Sequence, residues 1–205
     1  MKKTKKVLIP VIVFLLTFTV SSTALAAILG YPMFWESNKA TIARWKSVPD
    51  VYYYAVDGSL QGTLPTYVSH ARSQWNTAGV PNYSTTSSSG AEIKIYGGTY
   101  TNLKSIEPSL TTDNTGLMTP TYSYEGEWIA NGSTKTGYKF SSAKVYVVYK
   151  TGKSGSGYKK TTTHEIGHAL GWLGHTSYSS DVMYAYASEI TTLTSRDKRH
   201  LNQIY

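Results

Sequence analysis

Hydrophobic and polar positions along this chain change rhythm several times. Val51 to Val56 (VYYYAV) is a short aromatic and β-branched run with Asp57-Gly58 as a turn signal behind it, and it predicts a strand. Between Thr63 and Ala78 the apolar positions Tyr67, Ala71, Trp75 and Ala78 recur at helical spacing. Pro65 lies in the first turn, and Gly79 and Pro81 end the pattern, so a helix capped by Thr63 is expected. Tyr83 to Gly90 holds a serine/threonine tract without periodicity and reads as a loop. Ala91 to Tyr96 alternates like a half-buried strand, and Leu117 to Tyr122 and Ser141 to Lys150 (SSAKVYVVYK) predict two more. After a glycine/serine/lysine loop at Thr151 to Gly157, a helix is expected from Tyr158 to Leu170, with Gly171 suited to leave it in a left-handed conformation. A last helix spans Ser195 to Tyr205, with Thr194 and Asp197 as a capping box and Leu201, Ile204 and Tyr205 on its inner face. Strands first and helices later, with one helix between the first two strands, indicate an α+β domain rather than a doubly wound sheet.

Residues Met1 to Ala26 follow a different logic. Lys2, Lys3, Lys5 and Lys6 precede the apolar run Val7 to Val20, and Ala24-Leu25-Ala26 supplies small residues at a cleavage site, so this segment reads as a signal peptide. The apolar stretch from Val7 to Leu29 is long enough to span a bilayer. Pro10 and the interspersed threonines and serines weaken that reading, and removal leaves no stable membrane association. The chain is thus expected to divide into a signal peptide (1–26) and one domain (27–205) that works outside the cell. The formal charge of +8 owes half its value to those four lysines. The +4 that remains does not imply a nucleic-acid partner. The chain has no cysteine, which excludes disulfides, thiolate metal sites, a cysteine nucleophile and a lipid-anchoring cysteine. With 18 tyrosines and only 16% charged residues, it is not a disordered polyelectrolyte.

The candidate chemistry lies in HEIGHALGWLGH, His164 to His175. On a helix, His164 and His168 project from one face a turn apart, so two neutral imidazoles can reach one tetrahedral cation, and Zn²⁺ suits nitrogen donors without thiolates. Glu165 is beside that point, able to take a proton from water whose pKa zinc lowers to about 7. The arrangement is one for hydrolysing an amide.

The run His164-Glu165-x-x-His168-x-x-Gly171, followed by a histidine and a methionine, resembles the metzincin clan of zinc endopeptidases, its matrixin-like branch most of all. Ser180-Asp181-Val182-Met183-Tyr184 resembles that family's Met-turn, and Leu193 to Tyr205 its C-terminal helix. Trp45, the Tyr52–Tyr54 strand, the Trp75 helix and the Ala91–Tyr96 strand follow in the family's order. The resemblance therefore covers nearly all of 27–205, with specific motifs confined to the last fifty residues. It implies a zincin-like α+β catalytic domain with a mixed twisted sheet of about five strands and three main helices. It also implies one catalytic Zn²⁺ on His164, His168 and His175, with Glu165 as general base. A protein or peptide substrate is implied, pairing with an edge strand at Leu117 to Tyr122, and a monomer is expected. Calcium is conceivable at Asp113-Asn114, but one acidic residue is a weak signal and a plain turn explains it.

One departure leaves an alternative open. The family's third histidine follows the glycine by three residues, where this chain has Gly174, and His175 comes one later. Either Gly174 absorbs the extra residue with a positive φ, or the third ligand is Glu189, 25 residues after His164, as in thermolysin-like enzymes. The His175-to-Met183 spacing favours the first. His70 and His200 lack a partner at ligand spacing and read as surface or capping residues. Tyr184 and Tyr186 either line the main pocket or pack beneath it. An alternative function also stands, a secreted zinc-containing binding or surface protein of the same fold without protease activity. Intact Glu165 argues against it, because such a site has no need of a carboxylate beside the water.

Overall fold

A computed structural model describes residues 41–130 and 133–205. The signal segment 1–26 and the expected start at Ala27 lie outside the described residues. The elements run β1 (Thr41–Arg44), β2 (Asp50–Ala55), α1 (Leu64–Thr77), β3 (Tyr83–Ser84), β4 (Ile93–Gly98), α2 (Tyr100–Lys104), β5 (Gly116–Ala130), β6 (Ser133–Val148), α3 (Gly155–Ala169) and α4 (Ser195–Asn202). The architecture is the expected α+β, with six strands rather than about five and a short α2 beside the three main helices.

The sheet order is β1-β6-β4-β2-β3, with β5 paired to β6. Every pairing is parallel except β5 with β6. Parallel neighbours need a crossover, and α1 supplies it between β2 and β4. Strand β6 organises the sheet. Strand β5 follows one edge of it from end to end, while β1 (at 136–139) and β4 (at 143–148) share the other edge in succession. Among the described residues β5 therefore has an unpaired outer edge, starting at Gly116.

Alternation in β4 and β6 turns Ile93, Ile95, Ala143, Val145 and Val147 onto the face covered by α1 and α3. There they meet Leu64, Val68, Ala71 and Trp75 of α1 and Ile166 and Ala169 of α3, all fully buried. The Trp75 indole N–H donates to the Thr163 carbonyl at 2.8 Å, bolting the two helices together. The opposite face carries a smaller cluster of Tyr146, Val148, Leu103 and Leu110 under α2 and the loop after it.

Several local expectations change. Helix α3 begins at Gly155, three residues early, because the Ser154 hydroxyl accepts from Gly157 N–H at 2.9 Å and starts the helix inside the expected loop. Thr63 precedes α1 without a side-chain cap; Pro65 in the first turn does the pre-organising. The Thr194/Asp197 capping box forms as expected. Strands β5 and β6 extend well beyond their predicted cores. The added residues mix glycine, serine, threonine, tyrosine and charged side chains, many of them lying partly in solvent, and bulges at Thr121/Tyr122 and Tyr124/Gly126 break the alternation that would have revealed them.

Candidate metal and catalytic site

Helix α3 holds His164, Glu165 and His168 along its buried length, and its far end is tied down from a distance. A helix leaves its last carbonyls without internal partners. Here the Trp45 indole donates to Ala169 O at 2.9 Å and the Tyr205 hydroxyl donates to Leu170 O at 2.6 Å. Gly171 then turns the chain with φ +115°. A Cβ there would stand 2.5 Å from the Ala43 carbonyl, so glycine is required on two counts. Gly174, expected to absorb the extra residue with a positive φ, keeps an ordinary one: the described glycines with positive φ are 79, 90, 126, 152 and 171. Closure comes instead from the other side. Thr176 N–H donates to Met183 O at 3.1 Å and Thr176 pairs with Tyr184, so His175 stands at the neck of a loop that ends at Met183.

The three histidines converge. Their ring centroids are 4.6 to 5.0 Å apart, and one nitrogen from each lies within 4.8 Å of the others. His164 Nδ1 is 2.8 Å from Val182 O, and His168 Nδ1 is 2.5 Å from Trp172 O. Carbonyls only accept, so each Nδ1 carries the proton and each Nε2 presents a lone pair. Those two Nε2 atoms face each other at 3.0 Å. Lone pairs at that separation repel unless a cation lies between them. Burial lowers the pKa of all three imidazoles, that of His168 to about 3, and keeps them neutral. The donor set fits zinc. Glu189 is not part of it: its carboxylate accepts from the Ser154 hydroxyl at 2.6 Å, at the start of α3. His70 donates to Thr191 O at 2.8 Å. His200 is not at the surface but fully buried, its ring 4.1 Å from that of Trp172.

A second layer holds the first. Buried Asp197, at the start of α4, accepts from Val182 N–H at 3.1 Å and Met183 N–H at 3.4 Å, and Val182 in turn orients His164. Buried Asp181 takes a two-pronged contact from Arg196, at 2.6 and 2.8 Å, and the hydroxyls of Thr176 and Thr194. Met183 packs under the helix between the two ligand histidine positions because residue 167 is glycine; a Cβ there would come within 2.6 Å of the Met183 sulfur and of Trp75.

Glu165 faces a cleft of about 920 Å³ bounded by the start of β5, the 150–154 loop and residues 185–189. Its carboxyl is pushed up to about 8 by burial, which the Lys160 and Lys153 ammonium groups partly offset. A dication on the histidines would draw it back toward the ionised form. Gly116 is the residue opposite, and a Cβ there would sit 2.6 Å from Glu165 Oε1. Ala185 and Ala187, not Tyr184 and Tyr186, line the cleft; the two tyrosines pack on each other with ring centroids 5.3 Å apart. Asn114 accepts from Thr111 N–H at 2.7 Å in a plain turn.

The sequence reading missed Lys160 and Gly116. Lys160 is buried and donates to the carbonyls of Tyr184 (2.7 Å) and Tyr186 (3.2 Å), strapping the cleft wall to the helix. Its signal was available: a lysine four residues before His164 shares that histidine's face of the helix. Gly116 left no signal, because its contact with Glu165 joins segments distant in sequence.

The profile of the matrixin peptidase family matches residues 61–205. Among solved structures, that of myroilysin is 13% identical, covering 79% of this chain and 95% of its own, with a TM-score of 0.43. No curated protein sequence matches the chain.

Proposed function

The chain belongs to the matrixin family of zinc peptidases, and on that premise we propose that it is an exported endopeptidase hydrolysing peptide bonds at the His164–His168–His175 cluster. The observation that carries the reading is the pair of buried Nε2 lone pairs facing each other at 3.0 Å, each imidazole oriented by a backbone carbonyl and joined by His175. A zinc ion held there supplies Lewis acidity, making a water nucleophilic near neutral pH and polarising a peptide carbonyl.

The chain's own residues do the rest. Glu165 accepts a proton from the attacking water and returns it to the leaving amine. No hydrogen-bond donor among the described residues holds its carboxylate, so both oxygens are free for that exchange. The open edge of β5 offers main-chain groups to an extended peptide, with side-chain pockets left to discriminate. Export with cleavage after Ala26 belongs to the same proposal and is supported by the lysine, apolar and small-residue order of residues 1–26.

The test is cleavage of an unfolded protein by the exported full chain, with and without a chelator, beside Glu165→Ala. Chelator-sensitive cleavage that Glu165→Ala loses is the expected result, and the exported protein should begin at Ala27. A chain that takes up zinc stoichiometrically and cleaves neither proteins nor peptides would overturn it.

A further inference from the structure

Three lysines reach the cleft, and two of them are occupied. Lys160 is spent on the Tyr184 and Tyr186 carbonyls, and Lys150 Nζ donates to Thr112 O. Lys153 differs. Its ammonium makes one hydrogen bond, to the Thr161 hydroxyl at 2.6 Å, and lies 5.0 Å from the centre of the Tyr158 ring. Among the described residues no carboxylate pairs with it. An ammonium has three donors, so two point elsewhere. Thr161 is one helical turn before Glu165, which sets this charge in the cleft beside the reacting centre.

The side chain is also pre-positioned. Its stem passes Gly157 so closely that a Cβ there would stand 3.2 Å from Lys153 Cγ. Burial and the neighbouring Lys160 lower its pKa to about 8, which the more distant Glu165 and Glu189 carboxylates partly offset, so it remains charged at neutral pH with no carboxylate of the described residues in ion-pair contact. A desolvated charge is costly unless an opposite charge meets it. The walls nearby are built from small residues, Gly152, Ala185 and Ala187, which leave room for a substrate side chain.

We propose that Lys153 is a specificity residue of the cleft and selects peptides with a glutamate or aspartate side chain next to the scissile bond. The inference rests on the peptidase reading and adds the substrate class to it.

The experiment uses matched peptides that differ only in having Glu, Gln or Lys at each position flanking the cleaved bond. They are assayed with the parent, Lys153→Met and Lys153→Glu, with zinc content and Tm measured on each variant. At one flanking position the parent should favour Glu by ~10–100-fold in kcat/KM, the range for a hydrogen bond to a charged group. Lys153→Met should abolish the preference, cutting kcat/KM for the Glu peptide far more than for the Gln peptide, and Lys153→Glu should turn the preference toward Lys. Binding of the same pair to Glu165→Ala gives the preference without turnover. Cleavage with no Glu preference, or a preference that survives Lys153→Met, overturns the specificity proposal and leaves the peptidase reading standing. Failure of the parent to cleave any peptide overturns both, which separates the two.

Discussion

Behind the histidine wall of the cleft, the segment Asp181–Met183 is locked by buried carboxylates. Asp197 accepts two of its N–H groups, Asp181 is gripped by Arg196 and two hydroxyls, and the Val182 carbonyl passes that rigidity to His164. On the other side, Gly116 opens a strand whose outer edge is unpaired among the described residues, and residues 184–189 hang from Lys160 by the Tyr184 and Tyr186 carbonyls. The first wall over-determines where nitrogen atoms sit; the second leaves backbone and small side chains available. Metal chemistry tolerates little misplacement of its donors, whereas recognition of an extended chain needs unpaired main-chain groups and space.

The sharpest way to separate the walls is to remove chemistry without touching either. Glu165→Gln should lower kcat by about 10²–10⁴-fold, the range for a positioned general base, with zinc content unchanged by metal analysis. Comparable kcat in the variant would show that Glu165 only packs against Gly116. Next comes the rigid wall: Asp197→Ala strands the Val182 and Met183 N–H groups in the interior and should cost about 2–3 kcal/mol in urea unfolding, with weaker zinc retention in a chelator titration. Stability equal to the parent's would mean that the turn holds itself.

The open wall should respond differently. Gly116→Ala puts a methyl where Glu165 Oε1 and Cγ now lie, at 2.6 and 2.7 Å. Because Glu165 Cγ and the buried Thr161 methyl, 2.8 Å away, must give way as well, the expected result is kcat lower by about tenfold, from displacement of Glu165, together with a lower Tm. A large fall in Tm with kcat intact would reverse that assignment. The smallest effect lies away from both walls. For Asp57, burial alone would raise the pKa, but hydrogen bonds from Ser59, Thr99 and Asn102 pull it below the usual carboxylate range. A depressed carboxylate stabilises the fold in full above its unfolded pKa, about 3.9, and that contribution declines as pH falls below it and is lost through the lower folded value. Acidification from pH 5 to 3 should therefore cost the parent more stability than Asp57→Asn, measured by thermal unfolding. Equal losses would show that another group carries the acid sensitivity.

Much of the reactive centre was legible in advance because it is local. The four-residue step from His164 to His168 becomes a shared helical face whatever surrounds it, and the Thr194/Asp197 cap follows from residue types three apart. The position of Gly171 likewise marked where α3 had to end. Lengths of β5 and β6 were not legible, since their tyrosines and threonines lie half in solvent and bulges interrupt the alternation. Nor was the absence of a positive φ at Gly174, where the Thr176–Tyr184 bridge closes the loop from the far side.

Residue spacing alone therefore determined which side chains could meet on α3 and what chemistry they suit, because helical geometry converts sequence distance directly into spatial distance. Only the tertiary structure decided that Val182 and Trp172 carbonyls set the histidine tautomers, that Gly116 lies against Glu165, and that no carboxylate of the described residues forms an ion pair with Lys153 in the cleft. The Val182–His164 and Gly116–Glu165 contacts join segments whose approach depends on the packing between them, and the Trp172–His168 and Lys153–Thr161 contacts depend on how the chain leaves and enters α3, which no local periodicity records.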